Sequence, residues 1–407
     1  MQADLRDSSR STAPSRAVPA RGADARDRPS VALVHDWLDT WAGGEQVLAE
    51  VCALFPDAPV HTLVDFFPDD YRRRLGPRDI HPSFLQRLPF ARKSFRRYLP
   101  LFPTAIESLD VRHYDIVVST SHAVAKGART RPGQLHVCYC FSPMRYAWDL
   151  REQYLAQVGF DTGVRSAITR RMLDRLAAWD LASSGRVQHF VGISDHIADR
   201  IRRCYGRDAD VIYPPVTIPR DVPAVPREDG LYVTVSRLVP YKRIDVIAEA
   251  FRGLPGRRLV VVGEGPERAR VQSAAGGNVV LAGQLGDAER DALLARAQAF
   301  MFAAEEDFGI APIEAQAFGT PVIGFRKGGL VETVAGLEHD APTGVLFDAQ
   351  TPEAIAHAVQ QFEAHRDRIT SAACRSNAER FSAQRFRREF GDYVNERYRA
   401  FAGRLST

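Results

Sequence analysis

The sequence is poor in cysteine and has no long hydrophobic run, and these two absences exclude several kinds of protein. Its 407 residues include only five cysteines, which are scattered along the chain. Cys138 and Cys140 share one face of an apolar run, but no second pair completes a zinc site. We therefore expect buried free thiols in a reducing cytosol. No run of about 18 apolar residues occurs, so we expect no membrane-spanning helix.

The excess of one sign of charge is also small, since 54 basic and 50 acidic side chains leave a net charge of +4. This balance does not indicate a nucleic-acid partner, although it leaves room for a local basic patch. Apolar residues make up 45% of the chain, which is enough for well-packed cores. At this length we expect two domains rather than one.

Residues 1–28 are rich in Ser, Ala, Arg, Asp and Pro and contain no apolar core. They lack the hydrophobic region of a signal peptide. Four aspartates, Asp4, Asp7, Asp24 and Asp27, are atypical of an acid-poor transit peptide. We predict that this segment is a disordered tail.

Strand-like and helix-like runs alternate along the rest of the chain in two series, which predicts parallel, doubly wound sheets. A proline-rich stretch at 218–229 separates the two series and has the composition of a linker. The predicted fold class is therefore α/β, with two Rossmann-like domains, 29–218 and 227–382, facing across a cleft. A helical run at about 383–403 is expected to cross back onto the first domain. The strand-like runs are 31–35, 114–119, 135–140, 188–192 and 210–213, and then 231–236, 258–263, 278–282, 299–303 and 321–325.

Two glutamates, Glu306 and Glu314, lie on either side of a predicted strand-to-helix junction in E-D-F-G-I-A-P-I-E. Ligands of open α/β sheets bind outside the carboxyl ends of the strands, so both carboxylates are expected to face one crevice. Carboxylates suit a polyhydroxylated ligand because each accepts hydrogen bonds from neighbouring hydroxyls. The alternative is that acidic residues simply favour helix N-termini.

Two cations, Arg237 and Lys242, follow the first strand of the second series and are expected at the same edge. A guanidinium beside an ammonium is a suitable clamp for a diphosphate. The alternative is an ion-pair network among these two cations and the two glutamates.

Paired glycines follow strands in both predicted domains. Gly43 and Gly44 directly precede a helix, where backbone N–H groups can stabilise a phosphate. Gly263 and Gly265 follow a strand of the second series and permit close backbone approach. Turn formation without any ligand would explain either pair.

With these residues the chain resembles a retaining glycosyltransferase of the GT-B fold, in the large family 4. The resemblance covers about residues 30–400. It rests on the E-x7-E element, on the Arg…Lys pair after the first strand of the second domain, and on the paired-glycine loop of the first domain.

The resemblance implies a role for each matched position. Glu306 is expected to contact hydroxyls of the donor sugar, and Glu314 those of the nucleotide ribose. Arg237 and Lys242 are expected to hold the pyrophosphate and stabilise the leaving group, so neither a metal ion nor another cofactor is expected. The other donor-binding positions are Gly43 and Gly44 against a phosphate, Gly263 at its strand end, Leu285 where the family reads the base, and Phe308 beside Gly309 and Ile310, which offer backbone N–H groups.

The first domain narrows the resemblance. The segments H-D-W-L…G-G-E, S-T-S-H-A-V-A-K-G and S-P-M-R-Y-A-W-D are similar to those of bacterial mannosyltransferases of O-antigen and exopolysaccharide assembly. Those enzymes use GDP-mannose and a lipid-linked acceptor. Arg145, Tyr146 and Trp148 are the implied acceptor-side residues. His122 and Lys126 follow a strand end and are candidates to face the cleft, although a satisfied loop histidine is the alternative.

One position departs from the family pattern. Many members place a histidine that contacts the donor sugar after the strand that here ends at Cys140, whereas this chain has Phe141. We expect His122 to replace that histidine in the catalytic site.

The segment 87–103 mixes basic and apolar side chains and contains no acidic residue. This composition suits an anionic bilayer surface. The alternative is a segment that is buried against its own domain and keeps a solvated basic face. Nucleic acid is not expected as a partner, because no recognised motif is present.

The sequence therefore predicts a cytoplasmic enzyme, peripheral at the inner face of the cytoplasmic membrane, that transfers a sugar with retention. The predicted donor is GDP-mannose, and the predicted acceptor is a lipid-linked saccharide of polysaccharide or O-antigen synthesis. Two alternatives are a non-catalytic nucleotide-sugar-binding subunit, suggested by Phe141, and a nucleotide-sugar epimerase with the same architecture.

Overall fold

The computed structural model describes residues 29–148, 163–222 and 225–405. The predicted disordered tail lies outside these residues. Within them, every strand belongs to one of two parallel sheets, which confirms the predicted α/β fold class. The first sheet contains β1 (Val31–His35), β2 (Val60–Thr62), β3 (Ile80–Pro82), β4 (Ile116–Ser121), β5 (Leu135–Cys140), β6 (His189–Gly192) and β7 (Ala209–Val211). The second contains β8 (Leu231–Val235), β9 (Arg258–Val262), β10 (Val279–Gly283), β11 (Ala299–Phe302), β12 (Val322–Phe325) and β13 (Gly344–Phe347).

Helices connect the strands on both faces of each sheet. In the first series they are Gly43–Leu54, Asp69–Arg74, Ala91–Ser94, Phe102–Glu107, Gly163–Ser184 and Asp195–Tyr205. In the second they are Ile244–Arg252, Arg268–Ala274, Asp287–Arg296, Ile310–Ala317, Leu330–Thr333, Pro352–Ala364 and Ser371–Glu379, followed by Ala383–Leu405. Short 3₁₀ turns occur at Phe84–Arg87, Phe95–Leu101, Ala125–Gly127, Pro240–Lys242 and Arg366–Arg368.

Both sheets are buried on both faces. Successive strand residues point to opposite sides of a sheet, and here the residues on both sides lie in apolar cores. In β4, Val118 packs into the core on one face and Val117 into the core on the other. In β8, Tyr232 packs into a core on one face of the second sheet and Val233 into a core on the other face. This arrangement explains why the strands appear in the sequence as continuous apolar runs.

The strand order places the carboxyl-end loops that matter for function. The first sheet has the order β3-β2-β1-β4-β5-β6-β7 and the second β10-β9-β8-β11-β12-β13. The order reverses between β1 and β4 in the first sheet, and between β8 and β11 in the second. Crevices form at such switch points. The paired glycines follow β1, His122 follows β4, Arg237 and Lys242 follow β8, and Glu306 follows β11.

The helix Ala383–Leu405 returns to the first domain. Phe386 and Phe390 are fully buried, and each ring centroid lies 5.4 Å from that of Tyr139 on β5. Val394 on the same helix belongs to the same core. The last helix therefore completes the core of the first domain.

The segment 87–103 is only partly buried. Phe95, Leu99 and Phe102 pack into the first domain, as the alternative interpretation expects. Phe90 is 81% exposed and Leu101 is 40% exposed. The basic side chains in the segment are also exposed. Among the residues that the structure describes, no helix is both long enough and apolar enough to cross a membrane.

Candidate active site

An ion pair joins two loops at the switch point of the second sheet. Lys242 ends the 3₁₀ turn after β8, and Glu306 lies in the loop after β11. The Lys242 ammonium contacts the Glu306 carboxylate directly. Both side chains are partly exposed, so a ligand in the crevice could reach either of them. Residues that are far apart in the sequence are thus brought together by strand order.

Glu314 lies in the second turn of the helix Ile310–Ala317. Burial raises the pKa of this carboxyl group, and the neighbouring Arg290 opposes the rise while Asp291 adds to it. Within the described residues the carboxyl group of Glu314 makes no hydrogen bond. A partly buried carboxyl group without a hydrogen-bond partner is suited to receive a ligand hydroxyl.

Arg237 remains exposed beside β8. In the described part of the chain it forms no ion pair, so the alternative of a four-member ion-pair network is not realised. Of these four groups, Lys242 and Glu306 are the two that pair within the described residues. Arg237 is therefore available to a ligand at this edge of the sheet.

The backbone around Glu306 is fixed by two glycines that the sequence analysis did not identify. Gly329 N–H donates to the Glu306 carbonyl at 2.8 Å. Gly328 has a φ of +67°, and a Cβ on it would overlap the same carbonyl oxygen. The two loops after β11 and β12 can approach so closely only because these residues are glycine. The sequence signal that could have identified them is the pair of adjacent glycines, Gly328 and Gly329, shortly after β12.

Close backbone packing, without any ligand, explains why residue 263 is a glycine. A Cβ at this position would overlap the backbone oxygen of Ser236, and one at Gly265 would overlap that of Leu238. These glycines let the loop after β9 lie directly against the loop that carries Arg237. Leu285, after the edge strand β10, is partly buried against the second-domain core.

Phe308, Gly309 and Ile310 lie at the junction of the two domains. Phe308 is buried, and its ring stacks on Tyr213 with 5.8 Å between centroids. Gly309 directly precedes the helix Ile310–Ala317. A Cβ on Gly43 would lie 2.7 Å from Ile310 Cδ1. The paired-glycine turn of the first domain thus closes against the start of this helix.

Asp307, between the motif residues Glu306 and Phe308, bridges the two domains. Its carboxylate accepts a hydrogen bond from Arg200 Nη1 at 2.6 Å and lies 3.5 Å from Arg145 Nη1. Its carbonyl oxygen accepts from Ser194 Oγ at 2.6 Å. The sequence analysis gave Asp307 no role, because its partners lie more than 100 positions away.

Of the predicted acceptor-side residues, Arg145 lies near Asp307 in the loop after β11. Tyr146 and Trp148 instead pack within the first domain. Tyr146 is partly buried against the first-domain core. Trp148 Nε1 donates to Asp180 Oδ2 at 2.9 Å. Trp148 therefore attaches its loop to the helix Gly163–Ser184.

Lys126 corrects one expectation, because it does not face the cleft. It is 1% exposed and forms an ion pair with the fully buried Asp180. The hydroxyl of Tyr205 donates to the same carboxylate at 2.7 Å. A buried ammonium needs such a partner, and here it has one on a neighbouring helix.

Glu45 supports the paired-glycine turn. Its carboxylate accepts a hydrogen bond from Ala42 N–H at 2.9 Å and lies 3.7 Å from His35 Nε2. Burial alone would raise the pKa of Glu45, but the interaction of its carboxylate with the nearby His35 ring helps to outweigh burial, so the pKa is lowered. An ionised carboxylate at a helix N-terminus is stabilising. A Cβ on Gly44 would lie 3.7 Å from the Phe141 ring and 4.0 Å from His35 Cε1.

Comparison with known proteins gives a direct result for the second domain. Residues 217–381 match the family model for glycosyl transferases group 1. The D-inositol 3-phosphate glycosyltransferases of Mycobacterium tuberculosis and Mycobacterium bovis are 31% identical over 244 residues. That alignment covers 51% of this chain and 50% of the relative. The chain therefore spans about half the length of the curated relatives that it matches.

Solved structures are similar over both domains. HepE of Anabaena, solved in complex with UDP, has a TM-score of 0.63 at 16% identity and covers 90% of this chain and 100% of its own. Sucrose-phosphate synthase of Thermosynechococcus elongatus has a TM-score of 0.64 at 19% identity, over 92% of this chain and 100% of its own. The chain has the GT-B fold.

The chemistry of the crevice follows from these groups. Two cations, Arg237 and Lys242, lie after β8, and two carboxyl groups, Glu306 and Glu314, lie after β11. Such a set can bind a ligand that carries phosphates at one end and hydroxyls at the other. Among the described residues no group of three or more metal-ligating side chains is placed to hold a metal ion.

Proposed function

We propose that the protein is a retaining glycosyltransferase that moves a sugar from a nucleotide diphosphate to an acceptor hydroxyl. The observation that carries this proposal is the contact between Lys242 and Glu306 at the β8–β11 switch point, with Glu314 on the helix that follows. The match of residues 217–381 to the model for glycosyl transferases group 1 supports it.

In this mechanism the ion pair is exchanged when the donor binds. Lys242 moves from Glu306 to the diphosphate and, with Arg237, stabilises the charge that develops on the leaving phosphate. The freed Glu306 carboxylate accepts hydrogen bonds from the sugar, and Glu314 accepts them from the ribose. In this mechanism neither carboxylate acts as a nucleophile, because each accepts hydrogen bonds from the donor. A front-face reaction, in which the leaving phosphate takes the proton of the acceptor, accounts for retention.

The proposed donor is GDP-mannose, and the proposed acceptor is a lipid-linked saccharide of polysaccharide or O-antigen synthesis. The support is the similarity of the first-domain segments to bacterial mannosyltransferases. HepE of Anabaena was solved with UDP and with UDP-glucose. A test of the donor must therefore compare GDP-mannose with UDP-sugars.

The first experiment is a thermal-shift screen against GDP-, UDP- and dTDP-sugars, since a ligand of the folded state raises the melting temperature. Transfer is then measured with the donor that binds. Glu306→Gln is expected to lower turnover about 100-fold with nucleotide binding nearly intact. Glu314→Ala is expected to weaken nucleotide binding instead. Glu305→Gln is the matched control, because Glu305 pairs with Lys327 at 2.9 Å outside this ion pair.

Three outcomes contradict the proposal. Unchanged turnover in Glu306→Gln removes the role given to that residue. Conversion of the donor into another nucleotide sugar without any acceptor indicates an epimerase. Binding of a donor with neither transfer nor slow hydrolysis indicates a binding subunit.

We also propose that the segment 87–103 contacts an anionic membrane surface. Exposed Phe90 and Leu101 beside exposed basic side chains support this proposal. The protein is expected to co-sediment with anionic vesicles and to be released at high salt, and Phe90→Ser should weaken that binding. Val280→Ser, which removes an exposed apolar side chain of the second domain, is the control. Equal binding to neutral vesicles would contradict the proposal.

A further inference from the structure

Asp36, directly after β1, is a buried carboxylate that organises the loop after β4. Its two oxygens accept four backbone N–H bonds, from His122 at 2.6 Å, Ala123 at 3.0 Å, and Val124 and Ala125 at 2.7 Å each. The residue is completely inaccessible to solvent. The carboxylate therefore has a fixed position at the switch point of the first sheet.

The same carboxylate also lies against the His122 ring. Asp36 Oδ2 lies 3.1 Å from His122 Nδ1. Trp37 packs against the imidazole in an edge-to-face arrangement, with 4.5 Å between ring centroids. The His122 side chain remains 35% exposed, and Nε2 has no hydrogen-bond partner within the described residues.

This geometry selects one form of the imidazole. A carboxylate oxygen can only accept, so the proton of a neutral ring lies on Nδ1. Nε2 then carries a lone pair and is an acceptor.

His122 lies at one end of a continuous wall that reaches the other domain. The centroid of its ring lies 6.2 Å from that of Phe141. A Cβ on Gly44 would lie 3.7 Å from the Phe141 ring. Gly43 in turn lies against Ile310, at the start of the helix that carries Glu314. The imidazole is therefore on the side of the crevice where the donor is proposed to bind.

We propose that Asp36 is a positioning residue that holds His122 with Nε2 as an acceptor for one hydroxyl of the donor sugar. The inference rests on the proposed function, since it assigns a residue pair to the same crevice. His122 is then the residue that touches the substrate, and Asp36 acts through it. The pair replaces a direct polar contact that Phe141, at the end of β5, cannot make.

Two substitutions separate the two ring nitrogens. The amide of Asn reaches the place of Nδ1, and the amide of Gln reaches that of Nε2. His122→Gln is expected to reduce kcat/KM for the donor less than tenfold, because its carbonyl oxygen still accepts in the crevice. His122→Asn is expected to lose about 100-fold while it keeps the contact with Asp36 and the melting temperature. The reverse order, or equal losses, overturns the proposal. His339→Asn, at an exposed position in the second domain, is the control.

A series of monodeoxy donor sugars tests the contact itself. One deoxy donor is expected to be used equally well by the wild type and by His122→Asn, because the hydroxyl that distinguishes them is gone. If no deoxy donor removes the difference, or if an acceptor lacking one hydroxyl removes it instead, the assignment to the donor sugar is wrong.

The tautomer is measured without any substrate. Long-range ¹H–¹⁵N correlation at pH 8, with His122→Gln to assign the signal, is expected to show the proton of His122 on Nδ1. A proton on Nε2, or on both nitrogens, overturns the role of Asp36. If no nucleotide sugar is turned over but the Nδ1–H form is found, the proposed function fails while the positioned imidazole stands.

Discussion

At the scale of single residues, the sequence pointed to Lys242 and Glu306, which the structure brings into contact, but not to the residues that position them. Glu306, Glu314, Arg237 and Lys242 could be predicted because each follows a recognisable strand. Contacts between distant loops leave no local pattern, so the glycines behind Glu306 and the partners of Asp307 were not predicted. The local sequence also does not predict how exposed each cation is. Lys242 is partly exposed and pairs with Glu306, whereas Lys126 is buried and pairs with Asp180.

Gly328 provides a test of how closely the site depends on its backbone. In Gly328→Ala the new methyl group meets the Glu306 carbonyl, so both stability and turnover are expected to fall. Gly206→Ala is the control, because Gly206 has a similar φ of +64° but open space around it. The control should lose only about 1 kcal/mol of stability from the left-handed backbone, with turnover unchanged. Melting temperature and turnover that agree between the two variants would contradict this account.

At the scale of elements, continuous apolar runs predicted the central strands well. β1 and β5 have the predicted bounds, and the ends of most others differ by one or two residues. Three strands were not predicted: β2, β3 and β13 contain only three or four residues each, and β3 and β13 lie at sheet edges. Such short strands form because a neighbouring strand offers them hydrogen bonds, which is information that local sequence does not contain.

Two of the buried histidines of the first sheet, His136 and His61, make it sensitive to acid. Burial lowers the pKa of His136 on β5 to about 3 and that of His61 on β2 to about 4. The unfolded chain binds these protons near pH 6.5, so the stability that the neutral rings provide is complete above that pH and is lost as the pH falls towards 4. Each histidine should cost about 1 kcal/mol at pH 5.5.

The measurement is the melting temperature between pH 7.5 and pH 5. His136→Gln is expected to flatten this pH dependence, because the Gln amide can still meet Ser119, which lies 2.8 Å from His136 Nε2. An exposed histidine changed in the same way, His339→Gln, controls for the loss of one titrating ring. A slope that is the same in all three proteins would show that the buried rings are not responsible.

At the scale of the whole molecule, the two domains are joined by apolar packing of Phe308 and Ile310 and by polar contacts of two acidic residues. Asp307 pairs with Arg200 across the cleft, and Glu332 accepts backbone N–H bonds from Asp195 and His196 at 2.8 and 3.1 Å. Because Asp307 is next to Glu306, the contact that holds the domains together also sets the position of the proposed catalytic carboxylate. Domains of one chain that meet at such an interface can move relative to each other.

Asp307→Asn should therefore loosen the closed arrangement. Removing the charge leaves the nearly buried Arg200 guanidinium with a weaker partner, which favours a wider cleft. We expect a larger radius of gyration in small-angle X-ray scattering and a several-fold lower turnover. Asp208→Asn removes an exposed ion pair with Arg202 and is expected to change neither quantity. An unaltered scattering curve for Asp307→Asn would argue against a role in closure.

The return of the helix Ala383–Leu405 to β5 has a consequence for the order of events during synthesis. The rings of Phe386 and Phe390, which fill the first core, leave the ribosome only after every strand of both sheets. The amino-terminal half must then wait in an unfinished state while the other half emerges, whereas most chains complete their domains one after another. A nascent chain stalled before Ala383 should consequently bind chaperones through the uncovered Tyr139 surface.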